Sequence, residues 1–205
     1  MLNIEVSEVT SRRERDAFIK FQWQIYANDP AWVPPLIIER KKFLNREQHP
    51  FYRHGDAALF LARKNGKIAG RIMASDDPNY NSLHETNVGC FGLFECIDDH
   101  EVAAALFDAA ASWLRNKGRS EIMGPIDYST NYVCGLLIDG FRFPPAIQAT
   151  PGAYKRALRC PASATACSTR RQSESSVELR AASRYPMGDL PEIARSQLKS
   201  VPPIH

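Results

Sequence analysis

The sequence predicts an α/β chain of the α+β type. Its sheet is mixed and mostly antiparallel, flanked by helices, with the last crossover parallel. Three observations carry this. Two runs of strand-forming residues, AALFLARK and KIAGRIMAS, flank Asn65-Gly66, the strongest two-residue hairpin signal. The run VGCFGLFEC, starting at Val88, is apolar on both faces, as a central strand should be. Just beyond it, Val102, Leu106, Ala109, Ala110, Trp113 and Leu114 recur on one face at helical spacing.

The remaining elements follow in order. NIEVSEV alternates and predicts a first strand. A helix follows, with Ser11 and Glu14 as a capping box and Phe18, Phe21, Ile25 and Trp23 on its inner side. DPAWVPPLIIERKKFL breaks at its prolines and restarts as a second helix, with Pro34-Pro35 in its first turn. DDPNYNSLHETN reads as a loop. The amphipathic helix is expected from about Asp99 to Lys117, capped by Asp98 with Glu101 and closed by Gly118. Its inner face should bury Leu106 and Trp113. EIMGPID predicts a further strand, STNYVCGLLIDGF a short helix and turn, and PPAIQAT an extended piece.

Composition bounds the function. The 205 residues are 44% hydrophobic, enough for one domain with a sizeable core, and no apolar run reaches the roughly 18 residues of a membrane span. The N-terminus carries no apolar signal segment, so the expected location is cytoplasmic. Cysteines stand at 90, 96, 134, 160 and 167, an odd count with no CxxC pair and no histidine at ligand spacing, so no metal site is expected. Residues 151–205 are net +5 while the first 150 are net −2. Basic character thus lies in the tail, and no nucleic-acid partner is expected. His49, His54, His84 and His100 read as surface residues, and the Arg40, Lys41, Lys42, Arg46 run as a solvated face.

NDPAWVPPL, HPFYRHGDAALFLARKNGKIAGRI, FGLFECIDDHEVAAALFDAAASWLRNKG, GPIDYSTN and CGLLIDGF run in register from about residue 28 to about residue 150. Together they resemble the acyl-CoA N-acyltransferase (GNAT) superfamily, and within it a bacterial ceramide synthase-like subfamily. The resemblance implies a GNAT fold, an acyl-CoA donor, and an amine acceptor that is a small molecule or lipid, for instance a long-chain amino alcohol. It leaves room for a peripheral membrane contact.

In that superfamily, the turn from the fourth strand into the following helix holds the donor's pyrophosphate on backbone N–H groups. The resemblance therefore implies donor contacts at Ile97, Asp98 and Asp99. Here the turn carries Glu95, Asp98, Asp99 and Glu101 and no glycine between Gly92 and Gly118, so carboxylates oppose a phosphate there. Asp98 and Glu101 read as helix caps. Glu95, at the strand end, is the expected general base, with a solvated strand-end carboxylate as the alternative. Asn131 is either a cofactor contact or a helix N-cap. Tyr154 is either the general acid or an idle loop tyrosine. Trp32, Pro34 and Pro35 either wall an acceptor pocket or fix a helix entry.

From about Arg159 the resemblance ends, and RCPASATACSTRRQSESSVELRAASRYP has no sustained apolar period. The sequence therefore predicts a GNAT-like acyltransferase domain over 1–158 and an irregular, disordered tail over 159–205. Residues from about 160 to 186 should lack regular structure and leave a sheet edge open. A shifted reading frame or a natural disordered tail would each give this composition. Two other functions stay open: a non-catalytic, truncated remnant that at most binds ligand, and an interaction module acting through the basic tail.

Overall fold

The computed structural model describes residues 3–29, 32–139, 178–180 and 183–187, and of 136–139, 178–180 and 183 the backbone alone. A six-stranded sheet runs in the order β1-β2-β3-β4-β5-β8. Its strands are β1 (Ile4–Glu8), β2 (Asp56–Lys64), β3 (Lys67–Asp76), β4 (Val88–Cys96), β5 (Glu121–Gly124) and β8 (Ser183–Pro186). The β4–β5 pair is parallel and the other pairs are antiparallel, as expected. Two short strands, β6 (Leu136–Asp139) and β7 (Glu178–Arg180), pair separately.

Local chemistry sets the boundaries. The β2–β3 turn places Asn65 and Gly66 at φ 53° and 78°, the left-handed pair a two-residue hairpin requires. Helix α1 (Arg12–Ile25) starts on the Ser11–Glu14 capping box: each side chain accepts from the other residue's backbone N–H, at 3.2 Å. Helix α4 (His100–Asn116) lies across the sheet and buries Val102, Leu106, Phe107, Ala110 and Leu114. These meet Phe91 and Phe94 of β4, the main core of the molecule. Gly118 follows at φ 80°, the left-handed residue that ends the helix.

Several expectations are corrected. The N-cap of α4 is Asp99, not Asp98: Asp99 Oδ1 accepts from Glu101 N at 3.0 Å and Val102 N at 3.3 Å. Trp113 is only half-buried, its ring lying beneath Lys117 Nζ at 5.1 Å, and Phe107 takes the core position. The shift is a small rotation of the stripe, which the small Ala103, Ala110 and Ala111 allow by letting the helix sit close to the sheet. The 77–87 segment is not all loop; α3 (Pro78–His84) starts there, with Asp77 accepting from Asn79 N and Tyr80 N and Pro78 at the first position. Pro34 and Pro35 lie ahead of α2 (Ile37–Phe43), whose N-cap is Leu36. Residues 129–139 form turns and β6 in place of a helix.

The open edge is corrected as well. β8 pairs with β5, Tyr185 opposite Ile122, and packs Tyr185 against the α4 core while Arg184 and Pro186 face outward. A strand this short shows too little alternation to read from sequence. The 158/159 boundary, PPAIQAT and the rest of the tail lie outside the described residues.

Candidate functional site

β4 and β5 stay paired only from Val88↔Glu121 to Cys90↔Met123. Beyond that point the regular ladder ends: Ile126 N still donates to Phe91 O at 2.7 Å, and past Leu93 the end of β4 keeps β3 as its paired neighbour. A bulge marks the place. Between the Arg71↔Glu95 and Met73↔Gly92 pairs, β3 has one residue and β4 has two, Leu93 and Phe94. Leu93 adopts φ 46°, and its side chain joins the α1-side core while Phe94 joins the α4 side.

Asp127 fills the fork. Its Oδ1 accepts from Leu93 N at 3.0 Å, and its own N–H donates to Val133 O at 2.8 Å. Its Oδ2 has no hydrogen-bond partner among the described residues. Any Cβ at position 92 would collide with Ile126 O and Asp127 Oδ1, so glycine is what lets the two chains approach. Burial pushes the Asp127 carboxyl up to about 6, against the charges of Arg40 and Arg71 and the Leu93 hydrogen bond, with Glu95 adding to the rise.

Glu95 sits on the same face, 3% exposed. One oxygen accepts from Gln22 Nε2 at 2.8 Å and the other from Arg71 Nε. Arg71 also donates to Phe18 O at 2.6 Å and lies over the Phe18 ring. Glu95 is therefore neither half-buried nor solvated, because a buried guanidinium holds it in place. Beside these charges Tyr128, Tyr52, Phe43, Phe51 and Tyr132 surround His49. Tyr128 OH donates to Phe43 O at 3.2 Å and lies 3.0 Å from Tyr52 OH. Burial raises both tyrosines and lowers His49, so all three rings are uncharged near neutrality. His49, expected on the surface, is 8% exposed and accepts from Phe51 N through Nδ1. His100 is half-buried, while His54 and His84 are exposed. A cleft of about 160 Å³ lined by Arg12, Arg15 and Arg46 shares only Tyr52 with this group.

At the start of α4, Ile97 N, Asp99 N and Glu101 N are engaged by Ala69 O, Ile97 O and Asp99 Oδ1. Asp98 N and His100 N have no acceptor among the described residues. Lys64 pairs with Asp99 and Arg71 with Glu95, so two of the turn's four carboxylates are neutralised and Asp98 and Glu101 remain exposed. Asn131 is exposed in a turn, its N–H 3.4 Å from Ser129 Oγ, and caps no helix. Gly140-Phe141 and Tyr154 lie outside the described residues. No group of three or more His, Cys, Asp or Glu among the described residues could hold a metal, and no helix there is long and apolar enough to cross a membrane.

The sequence reading missed Asp127, Arg71 and Gln22. A signal existed for the Arg71–Glu95 pair: Arg71 lies in the apolar interior of KIAGRIMAS and Glu95 is the one charge of the apolar run VGCFGLFEC, where an unpaired charge would be prohibitive.

Comparison with known proteins adds two relatives. Protein YghO of Escherichia coli strain K12 is 41% identical over 135 residues, 66% of this chain and 34% of that one. Bacterial ceramide synthase of Caulobacter vibrioides is 37% identical over 146 residues, 71% of this chain and 38% of that one. The chain thus spans about a third of the length of each. No family model matches. An N-acetyltransferase from Staphylococcus aureus Mu50 superposes with a TM-score of 0.52 at 11% identity, covering 90% of this chain and 99% of that one, a likeness of fold alone. The chain is GNAT-like in fold and, over about two thirds of its residues, ceramide synthase-like in sequence.

Proposed function

We propose that the chain is the acyl-transferring body of an N-acyltransferase, which moves an acyl group from an acyl-CoA thioester to an amine. A long-chain amino alcohol is the acceptor to test first, by analogy with the ceramide synthase relative. The observation that carries this reading is the fork between β4 and β5, with an ionisable carboxylate set in it. The thioester supplies the electrophilic carbonyl and the thiolate leaving group. An amine acceptor arrives mostly as an ammonium and must lose a proton before it can attack.

Two carboxylates compete for that proton. Glu95 has both oxygens engaged and serves Arg71 as counter-ion. Asp127 Oδ2 is unengaged among the described residues and its carboxyl titrates near 6, so at neutral pH it is mostly ionised yet more basic than an ordinary aspartate. Asp127 is therefore the proton acceptor in this reading, Glu95 a positioning residue, and Tyr154 the expected general acid. The N–H groups of Asp98 and His100 suit the donor's phosphates, Asn131 is the expected side-chain contact, and the exposed Asp98 and Glu101 carboxylates weaken the hold.

The test mixes protein, long-chain acyl-CoA and long-chain amino alcohol and follows released thiol and amide product. Asp127→Asn should abolish turnover while leaving thioester affinity unchanged. Full turnover in Asp127→Asn together with loss in a folded Glu95→Gln would return the base to Glu95. The exposed acidic turn also favours a second reading, ligand binding without turnover. Calorimetry separates the two: Asp98→Asn should tighten CoA thioester binding, and unchanged affinity would make the turn a capped helix alone.

A further inference from the structure

Four of the six large apolar side chains that stand exposed among the described residues fall within six consecutive positions: Val33 (55%), Leu36 (61%), Ile37 (38%) and Ile38 (64%). The last two open α2, a helix that buries none of its residues. Exposed aliphatics are ordinarily scattered, and a run of four calls for a partner.

Charge identifies the kind of partner. Lys41 reaches across to Asp16 of α1 at 2.9 Å. Asp16 lies three residues after Arg13 and four before Lys20, so all three share one face of α1. The α2 apolar run is therefore bordered by Arg13, Lys20 and Lys42, all exposed and none in an ion pair among the described residues, with Glu39 as the one exposed carboxylate of α2. Protein interfaces favour aromatic anchors and disfavour lysine. The nearby aromatic, Trp32, is turned inward against Trp23 and Tyr26. Aliphatic side chains rimmed by lysine and arginine match the boundary of an anionic bilayer instead.

We propose that residues 33–42, with the neighbouring face of α1, form a docking surface for an anionic lipid bilayer. The aliphatic side chains enter the acyl boundary and the cations meet the headgroups. The inner side of the same helix bears on the fork, since Arg40 acts on Asp127 and Phe43 stacks on Tyr128. The inference stands without the acyltransferase reading, and its test reads no turnover.

The full chain is sedimented with vesicles of phosphatidylcholine alone and with vesicles that include phosphatidylglycerol, at low and high salt. Binding should require phosphatidylglycerol and weaken with salt. Leu36→Gln with Ile38→Gln should lose at least about tenfold in partitioning. Lys20→Gln with Lys42→Gln should lose roughly fivefold per cation. Leu83→Gln, at a still more exposed leucine on α3, should bind as the wild type. Circular dichroism confirms folding of each variant. No binding to phosphatidylglycerol vesicles would overturn the proposal, as would wild-type binding by the Leu36/Ile38 variant. So would a dimer in light scattering that this variant dissociates while vesicle binding stays unchanged, which would make the patch a self-association face.

Discussion

On the α4 side of the sheet, Phe91 and Phe94 meet Leu106, Phe107 and Leu114 in a hydrocarbon core. On the α1 side, the same strands β3 and β4 present Arg71, Glu95 and the fork that holds Asp127, with Gln22 and a cluster of tyrosines around them. The first face gains stability from area removed from water and from close packing. The second must hold every buried charge against its desolvation cost, which a pair offsets only with good geometry. The sheet is thus asymmetric in purpose: one face sets stability, and the other keeps ionisable groups where water is scarce and proton affinity can be tuned.

The sharpest way to break the hydrocarbon face is Phe107→Ala. Its ring is fully buried and packs edge-on to Phe91, with centroids 5.0 Å apart. Truncation should cost about 3–5 kcal/mol in urea unfolding. A loss below about 1 kcal/mol would mean that α4 is not the main lid of the core.

A loss of similar size on the polar face needs no cavity. Glu95→Gln keeps the shape and leaves Arg71 buried without its paired counter-ion, at a cost of about 3–5 kcal/mol. Replacing both, as Arg71→Met with Glu95→Leu, should recover most of that loss. If the single change proves silent and the double change ruinous, the pair is not what holds this face.

Asp127→Asn should act in the opposite direction. The folded carboxyl titrates near 6 and the unfolded one near its ordinary 3.8. Between about pH 4 and pH 6 the folded chain therefore holds a proton that the unfolded chain has lost, and stability falls as pH rises through that window. Above it the wild type lacks about 3 kcal/mol that asparagine, which never ionises, retains. Urea midpoints of the two proteins should converge near pH 4 and separate above pH 6, with the variant higher. A wild type that gains stability across this window would refute the assignment.

The asymmetry also explains what could be read from the sequence. The α4 side was legible because hydrocarbon contacts leave a period: Val102, Leu106, Ala110 and Leu114 repeat along one element. The Asn65-Gly66 turn and the Ser11–Glu14 cap were legible because their chemistry is local. Trp113 misled because period fixes a stripe only to within one neighbour, and size favoured the wrong one. On the α1 side, Gln22 meets Glu95 across 73 positions of sequence, and Asp127 meets Leu93 across 34. No local spacing encodes such pairs. The bulge at Leu93 moves the alternation of β4 by one residue, so counting along the strand assigns the wrong face beyond it.

The smallest expected effect sharpens the hydrogen-bond order among the tyrosines. Tyr128 has one hydroxyl hydrogen, and Phe43 O at 3.2 Å is positioned only to accept it. Tyr128 oxygen must then be the acceptor in its 3.0 Å contact with Tyr52, and Tyr52 the donor. Tyr52→Phe removes that one bond and leaves the Tyr128–Phe43 bond intact, so the loss should be about 1 kcal/mol. Tyr128→Phe removes both bonds, leaving a half-buried carbonyl and a hydroxyl without their partner, and should cost about twice as much. The double variant should then match Tyr128→Phe, because the Tyr52 bond is already gone. If Tyr52→Phe costs as much as Tyr128→Phe, the proton order is reversed, and Tyr128 points its hydrogen at Tyr52 and away from the α2 end.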